Sequence, residues 1–356
     1  MPVSAPRALH PGAWWVWALS LAVAATRTTN PLLLGLIIAV AGFVVASRRS
    51  DAPWALAFRL YMYVGAVIVA SRVLFRILFG GVDGGHVLFT LPRIALFGSI
   101  TLLGPASAEN LLGGFYDGLQ LATMVICVGA ANALANPKRL LKAVPGALYE
   151  VGTAITVALS VAPQLVESVQ RVRRARRLRA GRARGLRAIK GIVVPVLEDA
   201  MNRSLHLAAA MDARGYGRRE YLSPRLRLLI AFCVLGGLVG ISVGIYGVLD
   251  GTSNWPGVPM LAAGVVVAGA GFVLGGRRIQ RSVYRPDPWR WPETLVVASG
   301  VGACALLFGT ARVDAANLYP SLNPLRWPEV SPWHAVSLLT GVLPAWLAPR
   351  PPEVAR

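Results

Sequence analysis

Apolar runs of roughly 15 to 25 residues alternate with short polar breaks along most of this chain. That is the length a helix needs to cross hydrocarbon. Eight runs stand out: about Ala13–Ala25, Leu32–Ala46, Trp54–Phe79, Gly113–Leu134, Leu226–Leu249, Val258–Gly276, Thr294–Gly309 and Trp333–Ala348. The last two are short and could be tilted, partly buried or interfacial. No series of ten-residue alternating segments suggests a membrane β-barrel. The pattern therefore predicts an all-α polytopic membrane protein with about eight transmembrane helices and a long cytoplasmic middle segment. The first two runs flank Asn30-Pro31 and read as a membrane hairpin, although Ala22-Val23-Ala24 could also pass for a signal cleavage site. Residues 80–112 are glycine-rich, and within them Ile94–Gly104 is apolar but short for a span, as a re-entrant segment would be.

Residues 135–225 differ from the rest. A short amphipathic stretch at Lys138–Lys142 is followed by apolar residues from Tyr149 to Pro163. Gln170–Lys190 is then dominated by arginine, and Val194–Ala213 has helical apolar spacing with Glu198, Asp199, Asn202, Arg203 and His206 interleaved. This divides the chain into N-terminal helices (1–134), a basic region (135–225), a helical pair (226–276) and a C-terminal extension with one or two further membrane helices (277–356).

Charge orients the chain. It carries 36 basic and 16 acidic residues, a net charge of +20, with only 15% charged residues and a mean hydropathy of +0.56. With the amino terminus inside and eight spans, 28 of the 36 basic residues fall on the cytoplasmic side. Four (Arg27, Arg93, Arg312, Arg326) fall outside, and four (Arg59, Arg72, Arg76, Arg227) fall within spans. Cytoplasmic segments characteristically carry the excess of Lys and Arg. A ten-span alternative, counting 94–104 and 149–163, also leaves the arginine tract inside but moves Lys138, Arg139 and Lys142 out. Most tryptophans, including Trp14, Trp15, Trp289, Trp291, Trp333 and Trp346, fall near span ends, where amphipathic rings settle. Arginines of the third span should face protein, water or headgroups.

Candidate chemistry is sparse. Cys127, Cys233 and Cys304 each sit alone in an apolar run, and the four histidines are scattered, so neither a disulfide, a metal site nor a bound cofactor is expected. The three lysines, Lys138, Lys142 and Lys190, lie outside any phosphate-binding loop pattern. Glu198, Asn202 and His206 would share one helix face, which is material for acid–base chemistry, but they read better as polar partners of arginines such as Arg203. No aromatic residue interleaves with Arg171–Lys190, so nothing there stacks on bases and no nucleic-acid partner is expected. The basic tract should attract anionic lipid.

Two triplets punctuate the basic region: Ala183-Arg184-Gly185 and Ala213-Arg214-Gly215. Each follows a helix-compatible stretch, and glycine after the arginine can end a helix in a left-handed cap. The arginine would then stand at a helix tip as a permanent cation that forks toward carboxylates and carbonyls. Gln170-Arg171-Val172-Arg173-Arg174-Ala175 leading to the first triplet, and Ala210-Met211-Asp212 leading to the second and Tyr216, resemble the transmembrane coupling (T) component of energy-coupling factor (ECF) transporters. That family includes the membrane subunit of cobalt importers. His10-Pro11, Asn30-Pro31 and Asn136-Pro137-Lys138-Arg139-Leu140-Leu141 fit the same pattern. The resemblance covers roughly residues 8–275.

The resemblance implies a non-catalytic membrane subunit in the cell membrane, with 135–225 cytoplasmic. Two ABC ATPase subunits would dock on two coupling helices, each ending in Ala-Arg-Gly, with Arg184 and Arg214 as the docking arginines. A separate substrate-binding membrane subunit, the S component, would select a vitamin or a cobalt or nickel ion. Pro145, Gly146, Pro163, Gly191 and Pro195 are candidate hinges. The alternatives are a self-contained transporter or channel, or a membrane enzyme with a lipid-binding basic segment.

Overall fold

The structure is a computed structural model that describes residues 8–49, 57–79, 86–90, 92, 94–95, 101–136, 139–140, 149–178, 186–215, 223–250, 257–277 and 287–349. Its helices, in chain order, are α1 (Pro11–Ala25), α2 (Pro31–Arg48), α3 (Ala57–Leu78), α4 (Ala108–Leu134), α5 (Tyr149–Leu178), α6 (Leu186–Ala213), α7 (Pro224–Asp250), α8 (Gly257–Arg277), α9 (Trp291–Thr310), α10 (Pro332–Leu339) and α11 (Pro344–Leu347). Among the described residues seven helices are long and apolar enough to span a membrane: α2, α3, α4, α5, α7, α8 and α9. The shorter α1 is equally apolar in character. The chain is an all-α polytopic membrane protein.

Contacts divide the chain into two compact units. One comprises Met1–Ala143 and Pro286–Arg356, the other Val144–Arg285.

In the first unit α1 lies at the centre, against α4 and α9, with α2 packed on α4. Trp17, Leu21, Leu33, Leu34, Ile37 and Leu307 are fully buried. Both first helices start on a capping side chain followed by proline, whose missing N–H costs nothing in the first turn. His10 Nδ1 accepts from Gly12 N at 3.1 Å, and Asn30 Oδ1 accepts from Leu32 N at 3.0 Å. These turns are tied to the C-terminal segment. The Asn30 amide donates to the carbonyls of Asn317 (2.8 Å) and Glu329 (2.7 Å), and His10 N donates to buried Glu293 at 3.2 Å. Arg48 forks onto the carbonyl of Ala345, and Trp17 Nε1 donates to the Gly341 carbonyl at 3.0 Å.

Three expectations change here. The apolar stretch at 333–348 is not one continuous α-helix. With Pro344 lacking a backbone donor, α10, a 3₁₀ turn (Thr340–Val342) and α11 follow one another, packed against α2 and α9. The stretch 149–163, not counted among the eight spans, lies in α5, a helix long and apolar enough to cross a membrane by length and composition. Ile94–Gly104 contains paired strands, Ile94–Ala95 against Thr101–Leu102, beside a second pair, Val87–Thr90 against Pro105–Ser107. Trp14 is also core rather than interface, at 5% exposure, whereas Trp291, Trp333 and Trp346 are exposed as expected.

α3 lies along α4 through its glycines. A Cβ on Gly129 would come within 2.4 Å of the Tyr61 ring, and one on Gly118 within 3.0 Å of Val69 Cα. Arg76 bonds Asn110 (3.2 Å) and Asp117 (2.9 Å) on α4, so that cation of the third span faces protein.

In the second unit α7 and α8 form the closest helix pair. Gly237 lies against Ala268, Gly244 against Leu261, Gly264 against Ile241 and Gly257 against Val248, and added Cβ atoms would come 2.4 to 2.7 Å from neighbouring backbone. Lipid offers no hydrophobic drive between helices, so small residues that admit close backbone approach supply the association. Gly237→Leu should therefore separate the pair and destabilise the protein by roughly 1–3 kcal/mol, as overpacking does. Gly236→Leu, one residue away with nothing within 4 Å of its Cβ position, should leave thermal unfolding unchanged. A scanning unfolding experiment on both variants checks this, and equal melting temperatures for the two would contradict the packing.

Candidate functional site

α5 and α6 pair as an antiparallel hairpin in the second unit. Their polar contacts fix the register. Ser168 Oγ donates to Asp199 Oδ2 at 2.7 Å, Arg203 Nη1 donates to Gln164 Oε1 at 3.3 Å, and the Arg176 guanidinium lies over Gly191, with an added Cβ 3.0 Å from its Cζ. Arg203 also grips Asp199 within α6, Nε to Oδ1 at 3.2 Å and Nη2 to Oδ2 at 3.1 Å. Gln164 and Ser168 are one turn apart on α5, and Asp199 and Arg203 one turn apart on α6, so each pair presents one face. The three cross-helix pairs share one sequence midpoint, between residues 183 and 184. The first triplet, Ala183, Arg184 and Gly185, surrounds that midpoint but lies outside the described residues, as do Pro145 and Gly146.

The second triplet is described. α6 ends at Ala213, and Arg214 N and Gly215 N close the last turn onto the carbonyls of Met211 (3.1 Å) and Asp212 (2.8 Å). Gly215 has φ 75°, the left-handed geometry expected of a terminating glycine. Arg214 is exposed at this tip, a permanent cation at the negative end of the helix dipole. With 28 residues at about 1.5 Å each, α6 holds its two ends roughly 42 Å apart.

Along α5 the basic stretch is largely solvent-facing: Arg171, Arg173 and Arg174 are exposed. Pro163 and Pro195 lie inside α5 and α6. Glu198, Asn202 and His206 are exposed on α6, while Asp199 turns to α5. Among the described residues no group of three or more His, Cys, Asp or Glu could hold a metal ion. The Gln164–Ser168–Asp199–Arg203 clasp was not anticipated from sequence, where Asp199 read only as one of the polar residues interleaved in 194–213. Its signal was the matching four-residue spacing on the two stretches.

The profile of the cobalt transport protein family CbiQ matches residues 2–223, a range that takes in α1 to α6 and both triplets. The chain belongs to this family. The energy-coupling factor transporter transmembrane protein EcfT of Bacillus selenitireducens is 26% identical over 215 residues, 54% of this chain and 74% of that protein. The CbiQ match ends just past the Ala213–Gly215 tip, so α7 to α11 extend beyond it.

The clasp has a pH signature. The Ser168 hydroxyl, and then the Arg203 guanidinium, hold the Asp199 carboxyl below its ordinary value. A carboxyl lowered on folding stabilises the fold fully above its unfolded pKa of about 3.9 and loses that contribution as pH falls through the lower folded value. Nitroxides replacing the exposed residues Arg173 and Val194, which stand at the same level in this register, should give one narrow distance distribution at neutral pH that broadens only in acid below about pH 4. Asp199→Asn should broaden it at neutral pH and abolish the response. A distribution indifferent to both changes would contradict the clasp.

Proposed function

We propose that this member of the CbiQ family is the transmembrane coupling component of an energy-coupling factor transporter. It would carry motion from two ATPase subunits to a substrate-binding membrane subunit during uptake of a vitamin or a cobalt or nickel ion. The observation that carries the reading is the Ala213-Arg214-Gly215 tip: an exposed arginine held at a helix end by a left-handed glycine, within the segment that matches the family.

In this reading the amino terminus and residues 135–225 face the cytoplasm, as their excess of Lys and Arg favours. Arg184 and Arg214, each in its Ala-Arg-Gly triplet, seat in two equivalent sockets. Antiparallel pairing of α5 and α6 suits this arrangement, because successive helix ends then point to opposite ends of the hairpin, about one helix length apart. The ATPases supply all nucleotide chemistry. Their relative movement pulls on the two ends, and the Gln164–Ser168–Asp199–Arg203 clasp makes the helices respond as one body, a bistable element that the motor biases. Pro163, Gly191 and Pro195 are the points where the pair can bend. Substrate choice belongs to the other membrane subunit.

Arg214→Glu, alone or with Arg184→Glu, should leave the protein inserted and lower ATPase co-purification by about tenfold or more, since a reversed charge meets an acidic socket with repulsion. Recovery of the ATPases with the double variant at wild-type yield would overturn the assignment.

A further inference from the structure

α1 and α9 pack in contact, with Gly300 on Trp17, where an added Cβ would stand 2.7 Å from Trp17 Cα. Beside this contact the helices form an open groove of about 420 Å³, lined by Val16, Leu19 and Val23 of α1 and by Val301, Cys304 and Phe308 of α9. That size is within the range of small-ligand sites, about 300–1,000 Å³. Its one hydroxyl, Ser20 Oγ, is already satisfied by the Val16 carbonyl at 2.8 Å. The groove therefore offers a ligand only apolar surface along its length.

Its Phe308 end carries charge. The Arg27 guanidinium sits 4.8 Å above the Phe308 ring centroid, and the residue remains exposed. Arg312, one turn past Phe308, is exposed as well. Among the described residues neither cation has a carboxylate partner, and Asp314, two residues from Arg312, bonds Asn317 at 2.8 Å. α1 has 15 residues, a length of about 22 Å, against a hydrocarbon core of about 30 Å. Arg27, two residues past its end, is thus drawn toward the hydrocarbon margin, where a cation needs a counter-ion from the headgroup layer.

We propose that the α1–α9 groove holds one acyl chain of a diacyl phospholipid with a net anionic headgroup, whose phosphate sits between Arg27 and Arg312. Apolar length and terminal cations match the two parts of such a lipid, and its phosphate supplies the counter-charge the two arginines lack. α9 and Arg312 lie beyond the segment shared with the CbiQ family, so the site is a property of the C-terminal extension.

The full-length protein is equilibrated with equal amounts of phosphatidylglycerol and phosphatidylethanolamine, and retained lipid is counted by native mass spectrometry. One phosphatidylglycerol should be held in preference, and Arg27→Gln should weaken that preference about fivefold, the effect of roughly one arginine near a phosphate. Phosphatidylglycerol bearing a diazirine halfway along one chain should label residues 16–23 and 301–308, and Leu19→Trp, which fills the groove, should remove that labelling. Equal retention of the two lipids, labelling elsewhere, or cross-linking of a photoreactive residue at position 19 to another polypeptide would overturn the proposal. Should Arg27→Gln fail to fold, labelling of the wild-type protein decides between these outcomes.

Discussion

Hydrocarbon provides no water to satisfy a peptide N–H or C=O, so each segment inside it must close its own hydrogen bonds. That constraint sets the helical architecture and also removes the usual drive for helices to associate, because a lipid tail is as apolar as a leucine side chain. What remains is close packing and a few internal polar bonds. The two units of this chain use these in different proportions. α7 and α8 associate through close approach at small residues, with Gly257, Gly264 and Gly271 at seven-residue spacing along the face of α8 that meets α7. The first unit adds polar ties from Asn30, His10, Arg48 and Trp17, all ending on carbonyls or carboxylates of the C-terminal extension.

The extension is thereby part of the first unit's core. Glu293 is fully buried and accepts both the His10 N–H and the Arg290 N–H, and Arg139 pairs with Asp287 and with the Ala8 carbonyl. The His10–Glu293 and Arg139–Asp287 bonds each join a residue of the family segment to one outside it. A buried acceptor left unpaired costs about 1–3 kcal/mol, so the extension contributes to the stability of the family segment in this protein.

Legibility in the sequence followed the physics of each feature. Span-length apolar runs could be read directly, because length and composition alone decide membrane crossing. Proline-led helix starts at Pro11 and Pro31 and the left-handed Gly215 were legible because they are local. The failures were tertiary. Pro344 in an apolar run gave too little signal to show that 333–348 is interrupted by a 3₁₀ turn and packs on α2 and α9. Trp14 looks like an interfacial ring until α4 and α9 enclose α1. The hairpin clasp needed the register of two helices before Gln164, Ser168, Asp199 and Arg203 could be seen as one group. The Ala213–Gly215 tip was visible in advance, while Ala183–Gly185 lies outside the described residues.

A helix tip that transmits force must keep both charge and direction under load. Lysine would supply charge on a flexible stem, whereas the guanidinium fork also fixes orientation and never loses its proton. Gly215 stops α6 without the strain a side chain would meet at φ 75°, so Arg214 stays within one residue of a rigid rod. Behind it, Asp199 is bonded both to its own helix and to α5. In the coupling role proposed above, a displacement at Arg214 would move the α5–α6 pair as a body rather than unwind its end. Directional charge at the tip and cross-helix bonds behind it are two properties that suit the proposed coupling between a motor and a membrane helix.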